Sequence, residues 1–188
     1  MDALELLTSD HDTVRQLFSQ FNQAKEAGNT EQMRSVQQQI FSELEVHTAI
    51  EEEVFYPEAE AIGGEAEDLV KEGEEEHHVV DVLMEEISAL SPNDEAFVPK
   101  MTVLIENVEH HAEEEETELF PKLRETFGND RLQAMGAKLE EAKQRHESGG
   151  GNGQDRTREE LYEAARKQDV PGRSKMSKDE LADAVDSD

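Results

Sequence analysis

No cysteine occurs among the 188 residues, which excludes disulfides, thiolate metal sites and cysteine nucleophiles. Any metal must therefore be held by nitrogen and oxygen. Positive charge is also scarce: 18 lysines and arginines stand against 47 acidic residues, for a formal charge of -29. Such a surface repels nucleic-acid phosphates and anionic membranes and makes cations the natural partners. No stretch approaches 18 apolar residues, and the opening MDALELLTSDHD lacks the basic region and apolar run of a signal peptide. The default expectation is a soluble cytoplasmic protein without a membrane partner. Strand-like alternation is almost missing as well, and the length leaves room for one domain with a real core plus a small appendage.

What is present is helical periodicity, with apolar residues three and four apart from residue 2 to about 147. Gly28-Asn29, with Thr30 as N-cap, separates a first helix from a second. Gly63-Gly64 separates the second from a third, Ser91-Pro92-Asn93-Asp94 leads to a fourth, and Gly128-Asn129-Asp130 to a shorter fifth. Long helices joined by short turns pack as antiparallel neighbours, so the fold class is all-α, an up-and-down four-helix bundle over 1–147. SGGGNGQDR at 148–156 has the composition of a linker. Over 157–188, Thr157 with Glu160 and Ser177 with Glu180 fit the capping-box pattern, which predicts two short helices around a loop. Ten acidic and seven basic residues lie from 155 onward, leaving 37 acidic and 11 basic before them. The bundle carries most of the negative charge.

The chain repeats itself. HTAIEEEVFYP at 47–57 returns as HAEEEETELFP at 111–121, and DHDTVRQLFSQF at 10–21 aligns with EHHVVDVLMEEI at 76–87, offset by 66 residues. Helices one and two thus recur as helices three and four. In helix two the apolar line Val36, Ile40, Leu44 continues through His47, Glu51 and Val54. In helix four Met101, Leu104, Val108 continue through His111, Glu115 and Leu119. Steps of three and four keep these positions on one face. His11 continues Leu7, Val14 and Phe18, and His77 continues Val70, Val80 and Met84.

A buried carboxylate without a partner costs several kcal/mol or becomes neutral. Four imidazoles and two glutamates converging in a bundle therefore call for metal ions, and six such ligands, with carboxylates able to bridge, favour two ions over one. A lone histidine on an apolar face is more often a hydrogen-bonded core residue; four at matched positions, two with Glu at i+4, point to ligands. The remaining glutamates of the EEE and EEEE runs fall on solvated faces. His78 and His110 lie about 100° around their helices from the core line, as surface or supporting residues. Glu114 forms a competing HxxxE with His110, but matching Pro57 to Pro121 selects His111 with Glu115. A ferritin-like pair of Glu-x-x-His helices is disfavoured, since Glu74-His77 and Glu75-His78 both lie in helix three, and no HExxH of a zinc protease occurs.

Asp10-His11, HTAIEEEVFYP, Glu76-His77 and HAEEEETELFP together resemble the hemerythrin-like HHE cation-binding domains over about residues 1–145. The resemblance implies a four-helix bundle with a non-haem, carboxylate-bridged di-iron centre, and His11, His47, Glu51, His77, His111 and Glu115 as its ligands. It further implies binding or reduction of a small ligand such as O2, NO or peroxide. The alternative is an iron store or sensor without turnover. The second histidine that oxygen-carrying hemerythrins place one turn before the third-helix ligand is Gly73 here, which leaves room for water, another carboxylate or an exogenous ligand. The tail LYEAARKQDVPGRSKMSKDELADAV resembles the helix-loop-helix of Rho N-terminal and SAP-like sequences, whose link to nucleic acid is weakly supported in this net-acidic segment.

Overall fold

A computed structural model of the protein describes residues 1–147 and, beyond them, Tyr162, Arg166, Leu181, Ala184 and Val185, all helical. The expected linker, and the rest of the expected helix-loop-helix with its nucleic-acid reading, lie outside the described residues. The chain divides into two compact units, Met1–Gln144 and Arg145–Asp188. Among the described residues there are helices and no strands, and no helix is long and apolar enough to cross a membrane.

Four rods form the bundle. The first is α1 (Ala3–Glu26). The second runs through α2 (Thr30–Ile50), a π-helical turn π1 (Glu51–Phe55) and α3 (Tyr56–Glu60). The third is α4 (Glu65–Ser88), and the fourth repeats the second as α5 (Phe97–Glu114), π2 (Glu115–Leu119) and α6 (Phe120–Thr126). A further helix, α7 (Asn129–Glu147), follows. α1 packs on α2 and α5, and α4 packs on α5 and α3, which closes the antiparallel ring.

Local chemistry sets the ends. Asp2 and Glu5 form a capping box at the start of α1. At α2 the cap is Asn29, whose side chain accepts from the Gln32 N–H, and not Thr30 as the sequence suggested; Thr30 is the first helical residue. The turn into α4 needs Gly63 and Gly64, with φ of 76° and 62°, in the left-handed region that only glycine enters freely.

Both π turns precede a proline, Pro57 and Pro121. Inside an α-helix a proline ring clashes with the carbonyl four residues back and removes one hydrogen bond. The wider turn relieves this, and the Tyr56 N–H donates to the Glu51 carbonyl, as the Phe120 N–H does to that of Glu115. The helical phase changes at this point. Five residues of α-helix would turn Tyr56 about 140° away from Glu51; the π turn stacks one above the other instead.

The apolar core lies in two parts. One holds Leu7, Ile50, Phe55, Tyr56, Leu119, Leu123 and the inner face of α7. The other holds Phe18, Phe21, Ile40, Met84, Phe97 and Leu104. Between them lies a layer of buried polar side chains: His11, His47, Glu51, His77, His111 and Glu115. α7 closes the first part with Leu132, Met135 and Leu139, and Arg131 reaches Glu58 of α3 at 2.6 Å.

Candidate metal centre

The six residues singled out in the sequence meet in that layer. The Nε2 atoms of His11 and His47 face each other at 3.1 Å, and those of His77 and His111 at 3.2 Å. Glu51 stands between the pairs, with Oε1 3.3 Å from His47 Nε2 and Oε2 3.4 Å from His77 Nε2. Glu115 Oε2 is 3.4 Å from His11 Nε2 and 3.9 Å from His111 Nε2. Two half-sites result: His11, His47, Glu51 and Glu115 form the first, and Glu51, His77 and His111 the second. Both carry the sequence duplication into space, and both histidine pairs have ring centroids 4.8 Å apart.

Behind the imidazoles stands a ring of carboxylates. The His11 Nδ1–H donates to Glu116 at 2.8 Å, that of His111 to Glu76 at 2.8 Å, and that of His77 to Glu52 at 3.3 Å. Asp10 Oδ2 lies 3.8 Å from His47 Nδ1, an ion-pair distance too long for a direct hydrogen bond. The three hydrogen bonds fix the tautomer that turns Nε2 of His11, His77 and His111 toward the centre and strengthen those imidazoles as donors, while Asp10 acts on His47 through its charge. The pattern is regular: the residue before a helix-one or helix-three histidine, and the residue after each buried glutamate, supplies the support. Glu52 and Glu116 therefore do more than solvate a helix face, which is how the sequence classed them.

One residue at the centre was missed. Tyr56 Oη lies 3.3 Å from His77 Nε2 and 3.5 Å from His111 Nε2, with its ring stacked on His77 at 5.4 Å. It fills the space expected to be open beside Gly73, which corrects the reading of a vacancy for water or an exogenous ligand. The physical reason is the π turn, which brings residue 56 rather than Val54 onto the core line; Val54 is only partly buried. A sequence signal existed. In the repeat Tyr56 aligns with Phe120 and Gly73 with Leu7, so a hydroxyl appears opposite a position that has lost its whole side chain. Phe120 in turn stacks on His11 at 6.1 Å, the apolar counterpart in the first half-site.

All four carboxylate oxygens of Glu51 and Glu115 are buried without a hydrogen-bond partner. Without a cation the layer can only redistribute protons. Burial, then the charge of Glu115, pushes Glu51 well above the usual carboxylate range. Burial also disfavours ionised Glu115, but His111 and His11 overcome it and hold that carboxyl low. Burial disfavours protonated His11 and His111 as well, yet Glu115 leads the contacts that raise both. His47 falls to about 4 because burial outweighs Asp10. Burial, reinforced by Glu115 and Glu51, keeps the Tyr56 phenol protonated well past its ordinary value. A cation satisfies the orphaned oxygens and reverses these penalties, so the donor set fits metal ions.

His78 is exposed and outside the layer. His110 is exposed too, with Glu114 at 3.6 Å and Glu76 at 4.0 Å, forming a separate surface group. A cavity of about 20 Å³ adjoins the layer, lined by His11, His47, His77 and His111 with Phe18 and Val80 among its apolar walls. That volume admits a single water-sized guest.

A helical bundle with two His/Glu half-sites in its core defines a class of cation-binding proteins. Residues 2–123 match the family described as Hemerythrin HHE cation binding domain, and the chain belongs to that family of metal-cation binders. A protein of Nostoc sp. (strain PCC 7120 / SAG 25.82 / UTEX 2576) named DNA nickase is 27% identical over 143 residues, covering 76% of this chain and 39% of its own length. The chain thus spans about two fifths of that relative. An uncharacterized hemerythrin-like protein of Schizosaccharomyces pombe is 26% identical over 140 residues, 74% of this chain and 68% of that one. The crystal structure of a hemerythrin HHE cation binding domain-containing protein from Mycobacterium kansasii shares the fold, with a TM-score of 0.67 at 20% identity over 98% of this chain and 99% of that one.

Proposed function

We propose that the layer is a non-haem di-iron centre that binds or reduces a small ligand of the O2, NO or peroxide kind. The observation that carries this is the set of four orphaned oxygens on Glu51 and Glu115 among four imidazoles whose Nε2 atoms converge. His11 and His47 would hold one ion, and His77, His111 and Tyr56 the other. Glu51, with one oxygen toward each histidine pair, and Glu115, with Oε2 near both, would bridge. Nitrogen and carboxylate donors without thiolate suit iron, and a phenolate favours its ferric state. The bound pair would supply electrons and Lewis acidity toward the guest.

The protein's own part is to hold and shield. Glu116, Glu52 and Glu76 orient the imidazoles, the apolar walls of the cavity exclude bulk water, and its small volume excludes large guests. The DNA-directed activity named for the Nostoc relative does not suit a bundle with 37 acidic and 11 basic residues before position 155.

Protein loaded with ferrous iron and then oxidised should hold about two irons per chain and absorb in the visible through charge transfer. His47→Ala and His111→Ala should each lose metal; retention of two ions by both variants would refute the assignment. The same orphaned oxygens favour a second reading, a store or sensor, because the metal-free bundle carries a large penalty that binding removes. Large gains in helicity and stability on loading, without consumption of peroxide or NO, would select it.

A further inference from the structure

The two half-sites repeat in their ligands but not in the charges behind them. In the first, Glu116 supports His11 and also receives Arg15 Nη1 at 2.9 Å. Asp10 faces His47 and also receives Lys143 Nζ at 2.6 Å. Lys143 comes from α7, which lies outside the duplicated hairpins. In the second, Glu76 supports His111 and Glu52 supports His77, and among the described ion pairs neither meets a lysine or arginine. The repeat aligns Arg15 with Asp81, so the sign at that position is reversed. Tyr56 adds a phenol oxygen to the second half-site, where the first has the apolar ring of Phe120.

A carboxylate behind an imidazole pushes electron density toward the metal and stabilises its higher oxidation state. A cation paired with that carboxylate withdraws the effect. We propose that Arg15 and Lys143 make the two metal positions unequal in redox potential: the position held by His11 and His47 takes the first electron, and the one beside Tyr56 takes the second. Each step adds one electron from an external one-electron reductant to one ferric ion and makes it ferrous. Arg15 and Lys143 are positioning residues, acting through Glu116 and Asp10 and touching no metal. This rests on the di-iron reading with Tyr56 as a ligand.

The test is a reductive titration of the iron-loaded full chain with dithionite and mediators, followed by visible absorption and electron paramagnetic resonance. The first electron should produce a mixed-valent signal while the Tyr56 charge-transfer band persists, and the second should remove the band. Lys143→Met and Arg15→Gln should each lower the first midpoint more than the second, and the double variant should narrow the gap between them. Glu52→Gln, at a partly exposed site, should raise the second midpoint alone and serves if the cation variants fold poorly. Loss of the band with the first electron, or equal movement of both midpoints in the variants, would overturn the inference with the di-iron reading intact. Failure to load two irons, or a band that survives Tyr56→Phe, would instead sink the parent reading and this inference with it.

Discussion

Tyr56 reaches the buried histidine-glutamate layer through the gap that Gly73 leaves on α4: a Cβ at position 73 would stand 2.7 Å from the phenolic oxygen and 3.3 Å from His111 Cε1. A glycine inside a helix costs about 1 kcal/mol relative to alanine. Here that penalty admits a hydroxyl to the centre of the bundle.

Gly73→Ala should therefore destabilise the protein by about 1–3 kcal/mol despite the better helix propensity, because a methyl is forced against a ring with no room to move. In a Tyr56→Phe background most of this should disappear, since the nearest atom is gone. Denaturant unfolding of the four proteins of this cycle measures the coupling. Equal losses in both backgrounds would mean that Tyr56 does not occupy the gap.

Glu51→Gln should separate stability from metal binding. Burial and Glu115 raise the folded pKa of Glu51, so its ionisation opposes folding once pH exceeds the value of an unfolded glutamate, near 4.5. In the metal-free protein the substitution should add about 1–3 kcal/mol at pH 7, a gain that fades as pH falls toward 4.5. Metal content should drop at the same time. A variant that is less stable without metal at pH 7 would contradict the buried-charge account.

Protons and metal should compete at the centre. His11 and His111 titrate above the ordinary histidine value and Glu51 above the ordinary carboxylate range, so metal competes with protons that these three groups hold more tightly than free side chains do. Affinity should fall as pH is lowered from about 7.5 to 6, whereas His47, lowered to about 4, adds nothing over that span. Chelator competition at several pH values reads this directly; a flat profile would exclude proton release.

α7 should depend on Gly136, where a Cβ would meet Met1 O at 2.6 Å and Asp2 C at 2.8 Å. These are backbone atoms that cannot rotate aside. Gly136→Ala should cost about 2–3 kcal/mol and loosen the helix that carries Lys143. At Gly128 an added Cβ meets nothing within 4 Å, so Gly128→Ala should lie within about 0.5 kcal/mol of the parent. Similar losses at both positions would show that the close approach at Gly136 is not what matters.

The duplicated bundle was legible because repetition and the 3.6-residue period are properties of the chain itself. His11, His47, Glu51, His77, His111 and Glu115 interrupt core lines, and a polar residue in such a line has to be compensated. Tyr56 was illegible to the same reasoning because that reasoning assumes one helical phase throughout, and the π turns ahead of Pro57 and Pro121 change it. The N-cap of α2 shifted by one residue for a smaller reason: Asn29 and Thr30 can both cap, and backbone geometry chose between them.

The sequence by itself determined that two copies of one helical hairpin would turn six metal-type donors toward a shared interior, since spacing along a helix dictates which residues share a face. Only the tertiary structure decided which carboxylate meets which imidazole, as when Glu116 reaches His11 from 105 positions away. It also set Lys143 against Asp10 and brought a phenol to one half of the centre. Those pairings depend on how separate helices pack and on an added residue in a turn, and neither is written in the period of a single helix.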